Sequence, residues 1–176
     1  MTKSVYIFVD DSNLVGICRN RNKNLDWIGL RDYLLTHSQA DTLLEMVVYV
    51  GLPPLTDALR DRRDGKEKYI HWLRSQGFLV FTHSGSPVKD DPANYAANVD
   101  ILMALSCFEL CTRNRPDIAM VVTNDGDFAP LPIFLRNYGI KVEIAAVESI
   151  IGSNLKDCAN TVIDLDPFFH GLADLR

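Results

Sequence analysis

The sequence lacks an excess of positive charge. Its 176 residues carry 18 lysines and arginines against 23 aspartates and glutamates, which gives a formal net charge of −5. No global basic field is therefore available to hold nucleic acid non-specifically, and this excludes a histone-like or tail-driven binder. The charge does not exclude an enzyme that binds phosphates through metal ions.

Long hydrophobic runs are also missing. The longest uninterrupted apolar stretches, such as residues 101–105, are far shorter than the ~20 residues that span a bilayer, so we expect no membrane partner. Residues 1–4 lead directly into a strand-like segment, with neither a signal-peptide pattern nor an Arg/Ser-rich transit sequence. We therefore expect a cytoplasmic protein.

Closely paired metal ligands are absent as well. The 4 cysteines include no C-x-x-C pair, and the 4 histidines lie far from one another. Cys107 and Cys111 are separated by one helical turn in an apolar run, which is typical of a buried helix face. Because structural zinc usually shows closely spaced ligands, we expect reduced core thiols rather than a zinc site.

The chain does contain a regular alternation of strand-like and helix-like segments, which we expect to form one domain over residues 1–176. Short apolar runs predict strands at 5–9, 43–50, 78–82, 118–122 and 140–145, with an edge strand at 161–164. Helical spacing predicts helices at 26–34, 56–76, 96–112, 130–138 and from 153, while Gly, Pro and Asp predict a long loop at 83–95. The pattern predicts an α/β fold with a mostly parallel sheet covered by helices on both faces.

Carboxylates follow two of these strands, at the sheet edge where such folds bind ligands. Strand one ends in Asp10, Asp11 and Asn13, and the strand at 118–122 is followed by Asp125 and Asp127 around a glycine. Each has a structural alternative: the acid at 10 or 11 caps the next helix, Asp127 caps the helix entered at residue 130, and Asn13 is a turn residue. Taken together, they predict an acidic metal site.

Asp100 strengthens this prediction because its surroundings are almost entirely apolar. On a helix it shares a face with Met103, Ala104 and Cys107, and a buried carboxylate needs a partner, a proton or a metal. The alternative is a first-turn aspartate that the helix N-terminus stabilises by ~0.3–1 kcal/mol.

Cations gather away from these acids. Arg19, Arg21 and Lys23 form a patch with no acid among them, and we expect it to contact a phosphodiester backbone. The helix over 60–74 carries further cations interleaved with acids, which is typical of a solvated face with ion pairs. It is the next candidate for an RNA-binding surface after residues 19–23.

These motifs resemble the NYN domain family, a branch of the PIN-like nucleases, in order and spacing over nearly the whole chain. The matching segments are residues 8–13, 99–100, 123–128 with Pro130, 153–155, 158–159 and 162–165. The resemblance implies a three-layer α/β/α, Rossmann-like (PIN-like) fold. It also implies a ribonuclease site that uses a divalent cation, Mg²⁺ or Mn²⁺, with RNA, single-stranded or structured, as partner. The resemblance leaves open whether the protein forms a homodimer.

Carried over residue by residue, the resemblance implies four catalytic, metal-binding aspartates and three substrate-binding residues beside the cationic patch. The aspartates are Asp10, Asp100, Asp125 and Asp127, and the substrate-binding residues are Asn13, Ser153 and Asn154. Two positions depart from the family: Asn124 replaces a small residue such as glycine, and residues 96–98 lack a lysine. Lys89 is a candidate substitute for that lysine.

Two functional classes follow. The first is a metal-dependent endoribonuclease, since hard cations choose carboxylate oxygens and clustered aspartates repel one another until cations neutralise them. The second is a non-catalytic RNA-binding or protein-interaction module, which the missing lysine favours. A haloacid-dehalogenase-type phosphatase is disfavoured because Ser12 stands where its second acid belongs. A receiver domain is disfavoured because the third strand ends without an aspartate.

Overall fold

The computed structural model describes residues 2–175. Its strands are β1 (Ser4–Asp10), β2 (Thr42–Leu52), β3 (Leu79–Ser84), β4 (Ser86–Val88), β5 (Asp91–Ala96), β6 (Ile118–Val122), β7 (Lys141–Ala146) and β8 (Thr161–Asp164). Its helices are α1 (Asp11–Asn20), α2 (Trp27–His37), α3 (Arg60–Ser75), α4 (Asp100–Asn114), α5 (Pro130–Asn137), α6 (Ser153–Cys158) and α7 (Asp166–Gly171). None of the described helices combines the length and the apolar character needed to cross a bilayer.

Six strands form one sheet in the order β3-β2-β1-β6-β7-β8, and every neighbouring pair is parallel. Strand β1 lies at the centre, with Val9 opposite Val48 of β2 and Val122 of β6. Alternate residues of β1 enter opposite cores: Ile7 packs with helices α1, α2, α3 and α7, whereas Phe8 packs with α4, α5 and α6. The predicted three-layer α/β/α arrangement is confirmed.

The strand predictions match the sheet closely, including β8 at its edge, because buried parallel strands are continuously apolar. The prediction of a loop at 83–95 is wrong, since β4 and β5 form an antiparallel hairpin there with Asp90 at a φ of 68° near its tip. Most of the hairpin is exposed, so no apolar alternation marks it in the sequence. All four cysteines are free, and three are buried, as expected.

At the edge of the sheet opposite the acids, β7 carries Glu143, whose carboxyl side chain is fully buried. It accepts hydrogen bonds from the Ser38 hydroxyl at 2.7 Å and the Gln39 backbone N–H at 3.1 Å. These bonds join the segment after α2 to β7.

We expect Glu143→Ala to lower the free energy of unfolding by about 2–3 kcal/mol, because it leaves a cavity and two donors without their acceptor. Glu143→Gln is the matched control, since its amide oxygen keeps an acceptor in place and should lose clearly less. Urea unfolding measures both, and equal losses would contradict this account of Glu143.

Candidate functional site

Asp10 ends β1 and its side chain caps α1. Oδ1 accepts from the Ser12 hydroxyl at 2.8 Å and the Asn13 backbone N–H at 3.1 Å, and Oδ2 accepts from the Thr123 hydroxyl at 3.2 Å. Burial raises the pKa of Asp10, although these three hydrogen bonds oppose the rise. The carboxyl group is therefore held firmly at the carboxyl edge of the sheet, between β1 and β6.

Asp125 and Asp127 lie in the turn that follows β6. Asp125 Oδ1 accepts from the Asp127 N–H at 2.9 Å and so caps a short 3-10 helix, Gly126–Phe128. The Asp125 N–H donates to the Thr123 hydroxyl at 3.1 Å, so one buried threonine connects this turn to Asp10. The capping role considered for Asp127 is not found: α5 has no side-chain cap at its N-terminus, Asp125 caps only the 3-10 helix, and Asp127 is exposed.

Asp100 reaches the same place from another element, as the first residue of α4. Burial raises its pKa, and the negative charges of Asp10, Asp125 and Asp127 raise it further. The charges of Asp10, Asp125 and Asp127 thus act on Asp100, and the site that these four predicted aspartates form at this edge of the sheet is called the acidic cleft below. Within residues 2–175, no lysine, arginine or histidine forms an ion pair with any of them.

The donor set of the acidic cleft suits a hard divalent cation, because it consists of carboxylate oxygens without a competing cation. The side chains are not assembled around a common point: within the described part of the chain, no three Asp, Glu, His or Cys residues are grouped closely enough to hold a metal. Asp10 and Asp125 use oxygens for helix caps in this arrangement. The residues fit a cation in chemistry, and a closed ligand shell requires their rearrangement.

Asn13 and Asn124 join the strand ends that carry the acids. Asn13 Oδ1 accepts from the Asn124 backbone N–H at 2.9 Å. The Asn124 side chain donates from Nδ2 to the Val147 carbonyl at 2.9 Å, and its Oδ1 accepts from the Val147 N–H at 3.2 Å. The ends of β1, β6 and β7 are thus linked, which explains an asparagine where the family usually has a small residue.

Ser153 and Asn154 begin α6, and both are exposed. Asn154 Nδ2 donates to the Gly126 carbonyl at 3.0 Å. A Cβ at Gly126 would lie 2.9 Å from Asn154 Oδ1, so a larger residue between the two aspartates would displace the Asn154 side chain. Asn154 therefore supports the Asp125–Asp127 turn from a separate helix, and its substrate contact stays a prediction.

The cationic patch predicted at residues 19–23 is largely paired within the protein. Arg21 forms an ion pair with Asp166 at 2.6 Å, and Lys23 forms one with Asp174 at 2.8 Å. Arg19 is exposed and has no ion pair within residues 2–175. The acids come from the last residues of the chain, so no local pattern could show the pairing.

A groove of about 640 Å³ opens beside the acidic cleft, between α1 and α3. At its base, the buried Asp11 accepts from Lys66 Nζ at 2.9 Å and from the Tyr69 hydroxyl at 2.6 Å. Sequence reasoning missed this triad because Lys66 lies 55 residues from Asp11. The signal available was the regular helical spacing of cations and aromatics along α3.

Comparisons with known proteins found a matching family model and several solved structures with some similarity to the chain. A family model described as the NYN domain matches residues 4–166. A protein of unknown function from Vibrio parahaemolyticus has a similar structure, with a TM-score of 0.68 and 20% identity over 94% of each chain. Weaker similarities link the chain to MurG of Acinetobacter baumannii (TM-score 0.46, 14% identity, 94% of this chain and 42% of that one). The T5 5′-exonuclease with bound zinc ions gives a TM-score of 0.43 and 14% identity over 84% of this chain and 56% of that one. No curated protein matches the chain.

We expect Asn124→Ala to lower the free energy of unfolding by about 1–3 kcal/mol, because it leaves the N–H of buried Val147 without its acceptor, whereas the Val147 carbonyl keeps the N–H groups of Ile150 and Ile151. Asn98→Ala, which removes an exposed asparagine side chain, is the control and should change the free energy of unfolding by less than about 0.5 kcal/mol. Urea unfolding compares them, and an unchanged midpoint for Asn124→Ala would refute the bridging role.

The raised pKa of Asp100 predicts a pH-dependent difference between the wild type and Asp100→Asn. In the folded wild type, ionisation of Asp100 is disfavoured, so its contribution to stability falls as pH rises from the ordinary value of 3.8 through the raised folded pKa. Asparagine does not titrate. The stability of Asp100→Asn relative to wild type should therefore increase with pH across that window and then level off. Urea unfolding at several pH values tests this, and a constant difference would contradict it.

Proposed function

The chain belongs to the NYN domain family, and from this premise we propose that it is a divalent-metal-dependent endoribonuclease that hydrolyses RNA phosphodiesters in the acidic cleft. The observation that carries the proposal is the approach of four carboxylates from three separate elements, with no cation paired to them among the described residues. Such a cluster destabilises the folded protein until positive charge binds it. That cost supports a binding role for the cluster over a structural one.

Mg²⁺ or Mn²⁺ held by Asp10, Asp100, Asp125 and Asp127 would neutralise charge on the phosphate and lower the pKa of a bound water. The protein's own contribution is position. Thr123 sets Asp10 and Asp125 relative to each other through its one hydroxyl group. Among residues 2–175, the amide Nδ2 of Asn13 has no hydrogen-bond partner, since Asn124 engages only its Oδ1. We propose that Nδ2 donates to a substrate phosphate together with Ser153 and Asn154.

A non-catalytic RNA-binding or protein-interaction module is the second candidate. The specific observation in its favour is that the side chains of the acidic cleft, as placed, do not form a metal-holding group within residues 2–175. The absence of a lysine at residues 96–98 also favours it, because Lys89 lies in the turn of the β4–β5 hairpin and forms no ion pair with Asp100.

Replacing Asp100 with Asn separates the two candidates. The variant removes one charge from the acidic cleft at nearly constant volume, so without metal it should be at least as stable as wild type. It should gain less stability from added Mn²⁺ and should lose cleavage of unstructured RNA. Thermal melts with and without Mn²⁺, beside a cleavage assay, measure all three effects. Asp32→Asn, on the exposed face of α2, is the control and should change none of them.

A structural Asp100 would behave in the opposite way. Loss of a first-turn carboxylate at the α4 N-terminus would then lower the stability of the metal-free protein by about 1 kcal/mol and leave the Mn²⁺ shift intact. That result would end the nuclease proposal and support the non-catalytic module.

A further inference from the structure

One face of α3 forms a wall of the groove beside the acidic cleft. Its side chains follow one another at helical spacing, so they lie in a single stripe: Arg62, Lys66, Tyr69 and Trp72. Acids of the same helix, Asp64 and Glu67, line a separate shallow pocket with Lys68 and His71. Helix α3, predicted to be a solvated face with ion pairs, thus has a cationic, aromatic side and a second side where acids and cations are mixed.

Cations outnumber acids in the groove, although the whole chain is acidic. Arg19 of α1 is exposed at the wall facing α3. Arg62 donates to the Ala93 carbonyl at 2.6 Å and lies over the Tyr95 ring at 5.3 Å, which brings the β4–β5 hairpin against the groove. The acid at the base, Asp11, is neutralised by Lys66. The groove therefore presents positive charge to a ligand.

Aromatic rings stand among these cations. Trp72 is 43% exposed, a high value for so large an apolar side chain, and its ring stacks on Tyr69 with 6.5 Å between centroids and 16° between planes. Tyr95 also lines the groove, beside Arg62. Flat exposed rings beside cations are the features with which proteins bind unpaired bases and the backbone that joins them.

Two helix glycines keep the groove open. Gly16 of α1 and Gly65 of α3 both line it, and a Cβ at either position would meet no atom within 4 Å. Packing therefore does not require glycine there, although glycine disfavours the helix relative to alanine. Their effect in the structure is to leave space between the two walls.

We propose that this groove binds single-stranded nucleic acid and leads unpaired nucleotides to the acidic cleft. The inference rests on the proposed function and adds a second binding surface to it. The two sites adjoin, since Asp11 and Ser12 line the groove while Ser12 also donates to Asp10. A duplex is not expected to bind this way, because its bases are already stacked on one another and are not free to stack on the rings.

Binding can be measured without cleavage, in EDTA, using a 12-nucleotide single-stranded oligoribonucleotide and a hairpin duplex of the same composition. We expect the single strand to bind at least tenfold more tightly and to quench the fluorescence of Trp72. Trp27 is buried, so Trp72→Phe should remove most of the quenching. Equal affinity for the duplex would overturn the proposal. A deoxy version of the single strand shows whether the groove distinguishes RNA from DNA.

Gly65→Leu is the decisive variant, because it fills the groove at a position where a side chain has room. We expect its fold to be at least as stable as that of wild type and its affinity for the single strand to fall about tenfold or more. Lys68→Leu on the other side of α3 is the matched control and should stay within about twofold, even though it removes a cation. Arg19→Ala should reduce the slope of log K against log salt by about 0.7.

These outcomes also separate the groove from the nuclease proposal. If Gly65→Leu binds the single strand as tightly as wild type and still cleaves RNA in Mn²⁺, the groove proposal is overturned and the nuclease proposal stands. Loss of binding in Gly65→Leu, with no cleavage by the wild type, would support the groove and leave the acidic cleft without a catalytic function.

Discussion

Mutual repulsion among carboxylates at one sheet edge is the constraint on which the site depends. Asp10 tolerates burial because three donors surround it, and Asp125 is oriented because it caps a 3-10 helix. Within residues 2–175, no hydrogen-bond donor or cation is paired with the Asp100 carboxyl group, and its pKa is raised. Hydrogen bonds thus hold Asp10 and Asp125 in place, whereas the negative charge at Asp100, on α4, is left unbalanced.

Topology explains why so few bonds suffice to hold the acids. Since β1 lies between β2 and β6, the last residue of β1 and the turn after β6 are neighbours without any long loop. Thr123 needs only one hydroxyl to join Asp10 to Asp125, and Asn124 extends the connection to β7 through Val147. The supporting residues are therefore the two that immediately follow β6, directly before the acids they position.

The parts of this architecture that depend on local pattern could be predicted from the sequence. Continuous apolar runs marked the parallel strands, and carboxylates at their ends marked the edge where the cleft lies. Pairing across the chain could not be predicted: Arg21 with Asp166 and Lys23 with Asp174 join residues about 150 positions apart, so a patch that is purely cationic in sequence is largely neutralised in space. The β4–β5 hairpin was missed because an exposed hairpin carries no burial pattern.

On α3, by contrast, pairing with distant residues leaves a cationic surface that the sequence does not show. In sequence, its cations alternate with acids and predict self-compensation along the helix, but helical geometry sorts them by face. Arg63 does pair with Glu67 one turn away, at 2.8 Å, whereas Lys66 reaches across to the buried Asp11 and neutralises the acid nearest to Asp10. A net charge of −5 is therefore compatible with a cationic surface beside the acidic cleft. What governs the approach of a phosphodiester is the sign of the charge within about one Debye length, ~8–10 Å, and not the sum over the chain.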